Sequence, residues 1–215
     1  MYNTILFDLD GTLTDPGEGI TNSVAYALER YGIHNTDRTE LYSFIGPPLR
    51  QSFERYLHVD AAEGERAVAY YREYYHDRGI FENLVIPGIP ELLAHLKAAG
   101  KKLIVATSKP EGYSRQILEH FGLSTYFDFV AGSCMDNTRT DKAEVIAYAL
   151  EQCGVAAGAD VVMVGDREHD VLGAQKNGLR CIGVLFGYGS AEELNAAGAV
   201  ALAKDAGELE KLLMG

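Results

Sequence analysis

Two aspartates one residue apart, Asp8 and Asp10, close an apolar run, Thr4-Ile5-Leu6-Phe7, and are followed at once by Gly11, Thr12 and a polar turn. The run has the length and β-branched content of a buried strand. Side chains alternate faces along a strand, so Asp8 and Asp10 point to one side and Leu9 to the other. Two carboxylates held together repel, and they need a cation, a shared proton or a division of roles. In an open parallel sheet the carboxyl end of a strand is also where ligands bind. The pair reads as a metal-assisted reaction centre; the alternative is a polar strand end with an Asx-type turn at Asp10-Gly11.

Three later stretches carry chemistry of the same kind. Val161-Val162-Met163-Val164-Gly165 is an apolar run that ends in Asp166, with a second acid at Asp170. His169 lies between them, but no histidine or cysteine at a useful spacing supports zinc. Asp141-x-x-Glu144 reads as a capping box, which places Lys142 in the first turn of a helix. The helix dipole disfavours a cation there by about 0.3–1 kcal/mol unless an anion is near. A phosphate would be that anion, and a lysine looping out to solvent is the alternative. Leu103-Ile104-Val105-Ala106 runs into Thr107, Ser108 and Lys109. By itself this could equally be a helix N-cap, and Lys109 reads as a solvated loop lysine, with an approach to substrate as the alternative.

These residues must be positioned by the elements around them. Strands are expected over 102–107, 127–131, 161–165, 181–185 and, more weakly, 200–203. Helices are expected at about 114–121, 142–153, 171–177 and 191–197, the last with a Ser190-x-x-Glu193 capping box. Strands alternating with helices predict an α/β fold, a doubly wound and mainly parallel sheet covered on both faces. Residues 16–82 show helical patterns only: Ile20, Val24, Ala27, Leu28 and Tyr31, then Leu49, Phe53 and Leu57, then Val68, Tyr71, Tyr74 and Tyr75. The expected organisation is a core domain of residues 1–15 and 83–215, split by an inserted all-helical domain of residues 16–82. The tyrosines at 70, 71, 74 and 75 read as packing between helices, with a substrate pocket as the other use.

Bulk properties narrow the classes. An apolar fraction of 47% suffices for a buried core, and a formal net charge of -12 argues against nucleic-acid polymers and anionic membrane surfaces. Cys134, Cys153 and Cys181 show no paired spacing, which points to reduced thiols. With no signal segment and no membrane-length apolar run, a cytoplasmic location is expected.

Phe7-Asp8-Leu9-Asp10-Gly11-Thr12-Leu13 resembles the first motif of the haloacid dehalogenase superfamily. Thr107, Lys142 and the Asp166–Asp170 stretch match its second, third and fourth motifs, in order, at expected strand ends or helix starts. A helical insertion after the first strand resembles the phosphoglycolate-phosphatase-like branch. The arrangements Gly46-Pro-Pro-Leu-Arg50, Ala106-Thr-Ser-Lys-Pro110 and Gly187-Tyr-Gly-Ser190 look most like its 5′-nucleotidase-like members.

The resemblance implies that Asp8 is the nucleophile and Asp10 the general acid and base. It implies that Thr107 and Ser108 bind phosphate, with Lys142 holding nucleophile and phosphoryl group together. Mg2+ would be held by Asp8, the Asp10 backbone carbonyl and Asp166, with Asp170 acting directly or through water. Hard oxygen ligands suit that ion. The helical domain would be a cap that closes over the site and selects substrate. Arg50 has two open readings there, a contact with the non-transferred part of the substrate or an i,i+4 pair with Glu54. The expected activity is hydrolysis of a small phosphorylated metabolite, a nucleoside 5′-monophosphate first, by a monomer or homodimer. Phosphoglycolate hydrolysis, a sugar phosphomutase, a pyrophosphatase and a non-catalytic binding module are the alternatives.

Overall fold

The computed structural model describes residues 2–34, 36–136 and 138–215. The chain divides into two compact units, Met1–Thr14 with Val85–Gly215, and Asp15–Leu84.

The first unit is built on β1 (Thr4–Phe7), whose four residues are all buried. A short strand β2 (Thr14–Asp15) follows it. In the second unit come α1 (Gly17–Glu29), α2 (Leu49–Leu57) and α3 (Ala61–Tyr74), and β3 (Leu84–Val85) follows where the chain returns to the first. The chain continues through α4 (Ile89–Ala98), β4 (Lys102–Pro110), α5 (Glu111–His120), β5 (Phe129–Ser133) and α6 (Lys142–Gln152). It ends with β6 (Val161–Gly165), α7 (Glu168–Lys176), β7 (Arg180–Val184), α8 (Ala191–Ala197), β8 (Ala201–Ala203) and α9 (Ala206–Met214).

Six strands form one sheet in the order β5-β4-β1-β6-β7-β8, parallel throughout. β1 therefore lies in the interior, with Phe7 in register with Val105 on one side and Val164 on the other. Leu6, Ile104, Ala106 and Met163 form a single apolar cluster with Val145, Ile146 and Ala149 of α6 and Val171 and Ala174 of α7. The alternate residues Ile5, Phe7, Leu103 and Val105 are buried as well, so both faces of the sheet are covered. This is the doubly wound α/β arrangement read from the sequence.

Several boundaries differ from the sequence reading, for local reasons. β4 does not stop at Thr107 but runs to Pro110, with an irregular register between Ala106 and Pro110. Pro110 is then the N-cap of α5, which starts before residue 114. A 3-10 turn at Ser124–Tyr126 delays β5. Asp170 accepts the Arg167 N–H at 3.1 Å, so α7 starts at Glu168 with a charged first turn that apolar periodicity does not detect.

The second unit packs Phe44, Phe53, Tyr71 and Tyr75 into its own core, with Tyr71 and Tyr75 stacked at 5.2 Å. Tyr74 donates to Glu82 and Tyr70 meets Tyr31 edge-on, so the tyrosine stripe is used in packing. Gly19 of α1 meets the π-helical turn Tyr75–Gly79 backbone to backbone, where any side chain would collide with the Gly79 carbonyl.

Candidate active site

The strand order reverses direction between β1 and β6, and in such sheets the crevice beyond the carboxyl ends at the reversal is the ligand site. Asp8 follows β1 directly, and its N–H donates to the Val164 carbonyl at 2.9 Å, tying the strand end to β6. The Leu13 and Thr14 N–H groups then donate to the Leu9 carbonyl at 2.8 and 3.0 Å, folding residues 9–14 into a tight loop. Gly11 sits in that loop at φ 79°, and a Cβ there would collide with the Asp166 carboxylate. Only glycine meets both demands without strain.

Asp166, at the end of β6, is 1% exposed. Its Oδ2 accepts the Tyr188 N–H at 2.8 Å, while its buried Oδ1 has no hydrogen-bond partner. The loop after β7 presses backbone against this acid: side chains at Gly187 or Gly189 would collide with Asp166 itself. Sequence reasoning had not given the Gly187-Tyr188-Gly189 loop a role in the site. Two glycines one residue apart after a buried strand were the available signal, since they mark close backbone approach.

Lys142 is the first residue of α6, whose cap Asp141 accepts the Ala143 N–H at 2.8 Å. Its Nζ lies 2.7 Å from Asp8 Oδ1 and 2.8 Å from Asp170 Oδ1, and donates to the Ala106 carbonyl at 3.2 Å. Burial alone would lower the Lys142 pKa, but Asp170 and Asp8 outweigh it and raise it. Asp170 lies at ion-pair distance from Lys142 through Oδ1, and its Oδ2 accepts the Arg167 N–H.

Lys109 is where the structure corrects the sequence reading. It is not a solvated loop lysine: its side chain is 7% exposed and its Nζ lies 2.5 Å from Asp10 Oδ2. β4 continues past Thr107 with an irregular register, and that continuation, which carries Lys109, had no local signal in the sequence. Thr107 is buried beside Ala106, and its Oγ1 accepts the Lys109 N–H at 3.2 Å. Ser108 occupies the same strand end, partly exposed. Arg50 belongs to the other unit, where it pairs with Glu54 at 2.6 Å and Glu65 at 3.5 Å.

Ligand atoms of Asp8, Asp166 and Asp170 lie within 4.8 Å of one another. With Asp10, four carboxylates face the two ammonium groups of Lys109 and Lys142, leaving two formal negative charges. Burial, then the charges of Asp170 and Asp8, push the Asp166 pKa well above the usual carboxylate range. Asp170 and Asp10 are raised too, chiefly by burial, each against the lowering effect of its lysine. A divalent cation with oxygen preference fits this donor set and its charge, with Asp166 Oδ1 as the ready ligand. Gly11→Ala should disturb it: the strained φ and the displaced Asp166 are expected to cost about 1–2 kcal/mol, read as a melting temperature several degrees lower.

The fold and site together are those of a doubly wound α/β protein with acids at the strand ends of its reversal point, and comparison with known proteins supplies the family. Residues 5–184 match the model of the haloacid dehalogenase-like hydrolases. The chain belongs to that family. It is 51% identical over 195 residues to a 5′-nucleotidase of Pseudomonas aeruginosa, covering 91% of this chain and 88% of that one. It is 40% identical over 188 residues to the tyrosine-protein kinase PtkA of Mycobacterium tuberculosis, covering 87% of this chain and 64% of the kinase. The crystal structure of a predicted phosphatase from Clostridium acetobutylicum superposes with a TM-score of 0.96 at 48% identity, over 100% of this chain and 99% of that one.

Proposed function

We propose that the chain is a Mg2+-dependent phosphate monoester hydrolase working through an aspartyl-phosphate at Asp8, with nucleoside 5′-monophosphates as its first substrate class. The observation that carries this reading is the pairing at the site. Asp8 is locked by Lys142 at 2.7 Å, while Asp10, two residues on, is held separately by Lys109.

In the reading, a carboxylate oxygen of Asp8 attacks phosphorus as the bond to the leaving oxygen breaks, and Asp10 supplies that oxygen with a proton. Asp10 then takes a proton from water, whose oxygen attacks phosphorus and releases Asp8 and inorganic phosphate. Burial raises the Asp10 pKa against the lowering effect of Lys109, the direction that favours a proton-donating role. Lys142, with Thr107 and Ser108, would stabilise the transferring group's charge. Asp8, the Asp10 main-chain carbonyl and Asp166 would hold Mg2+, which when bound neutralises the phosphoryl oxygens. Asp170 would act on the ion directly or through water, and its ion pair holds Lys142 in place.

The substrate class rests on the 5′-nucleotidase relative. The helical unit is read as the cap that selects the leaving group, with Arg50 among its selecting residues. Its exposed pairs with Glu54 and Glu65 hold it only weakly, so an anionic substrate can exchange for them. Arg50→Ala is expected to change the ranking among phosphate esters; an unchanged ranking removes the role. Among the described residues no helix is long and apolar enough to cross a membrane, and a cytoplasmic location is part of the proposal.

The test is phosphate release with Mg2+ across nucleoside 5′-monophosphates, 2-phosphoglycolate, sugar phosphates, phosphotyrosine and pyrophosphate. Preference for the nucleotides supports the reading. Preference for pyrophosphate, sugar isomerisation without phosphate release, or no turnover at all would each replace it.

A further inference from the structure

The two acids of the first motif are held by different lysines. Lys142 spans Asp8 and Asp170, while Lys109 reaches Asp10 from the end of β4. Its grip is one-sided. Nζ binds Oδ2 at 2.5 Å, and Oδ1 of the same carboxyl is buried with no hydrogen-bond partner. The contact is enclosed, with 7% of the Lys109 side chain and 15% of that of Asp10 exposed. An enclosed charge-assisted hydrogen bond of this kind fixes a rotamer far better than an exposed pair does.

The backbone is arranged to deliver that lysine. Between Ala106 and Pro110 β4 leaves the regular register of its pairing with β5, and the Lys109 N–H turns back onto Thr107 Oγ1 at 3.2 Å. Irregularities of this sort re-aim a side chain beside a functional site.

We infer that Lys109 is a positioning residue for Asp10: it anchors Oδ2 and thereby presents Oδ1 as the atom that hands a proton to the leaving oxygen. The inference rests on the hydrolase reading above and deepens it. Lys109 is paired with the proton-moving acid, so its removal weighs most on the step in which Asp10 gives a proton to the leaving group.

That bias makes the role separable from a structural one. p-Nitrophenolate leaves without needing a proton, whereas the alkoxide of a nucleoside 5′-monophosphate needs one. The experiment compares kcat/KM of wild type, Lys109→Met and Lys109→Arg on these two esters with Mg2+, since kcat/KM reports the steps up to departure of the leaving group. Both esters are assayed on one preparation, so the ratio is independent of the fraction folded. The nucleotide-to-aryl ratio is expected to fall about 100-fold in Lys109→Met, the low end of general-acid contributions. Lys109→Arg is expected to recover part of it. Equal losses on both esters, or no loss on either, overturn the positioning role. Wild type that releases phosphate from neither ester overturns the hydrolase reading, and this inference with it.

Discussion

Replacing Asp8 with asparagine is expected to lower turnover of every phosphate ester at least ~10^4-fold, with the fold intact. Removal of an attacking nucleophile costs effects of that size because the remaining groups have nothing to assist. The substitution is close to isosteric, and it takes one carboxylate away from a site with more acids than lysines. Lys142 keeps Asp170 and the Ala106 carbonyl as partners. A melting temperature within a few degrees of wild type, alongside lost phosphate release, separates chemistry from unfolding. Near-normal hydrolysis by the variant would remove Asp8 from the mechanism.

The second large effect concerns Asp166. Its folded pKa lies well above the ordinary value of 3.8, through burial first and then Asp170 and Asp8. Between those two values the folded protein holds a proton that the unfolded chain releases, so stability falls as pH rises through that window. Metal-free wild type is therefore expected to melt lower at neutral pH than in mild acid. On the proposed reading Mg2+ is expected to restore the loss: a ligand at a hundred times its Kd adds about 2.7 kcal/mol, or about 5–10 °C for a chain of this size. Asp166→Asn removes the charge while keeping an oxygen for the Tyr188 N–H. The metal-free variant should melt higher than wild type at neutral pH, show a shallower decline with pH, since Asp10 and Asp170 are raised as well, and gain less than about 2 °C from Mg2+. Calorimetry with and without the ion reads all three. A variant that still gains as much from Mg2+ as wild type would show that the ion sits elsewhere.

What the sequence made legible was what local rules govern. Alternation at the end of a buried run put Asp8 and Asp10 on one side, and a lysine in the wrong turn of a helix for its charge pointed to an anion at Lys142, which the structure supplies as Asp8 and Asp170. The strand–helix alternation was enough for the doubly wound sheet. Features set by partners distant in sequence were not legible. Lys109 reaches Asp10 only because β4 continues beyond Thr107 until Pro110 lies in register with Ser133, a pairing that no window around Lys109 contains. The backbone of residues 187–189 packs against Asp166, more than 20 residues away in sequence, so the stretch showed its family-like arrangement but not its contact. At Arg50 the local reading named the Glu54 pair that is present, and only an assay decides the substrate contact.

The central claim is that Asp8 carries the phosphoryl group, and trapping that intermediate tests it most directly. Wild type mixed with Mg2+ and a radiolabelled nucleoside 5′-monophosphate, then quenched in acid within the first turnover, should yield a hydroxylamine-labile label on the peptide containing Asp8. Asp8→Asn should yield none. Wild type that turns substrate over with no label on that peptide would contradict the account, and water would then have to attack the ester directly.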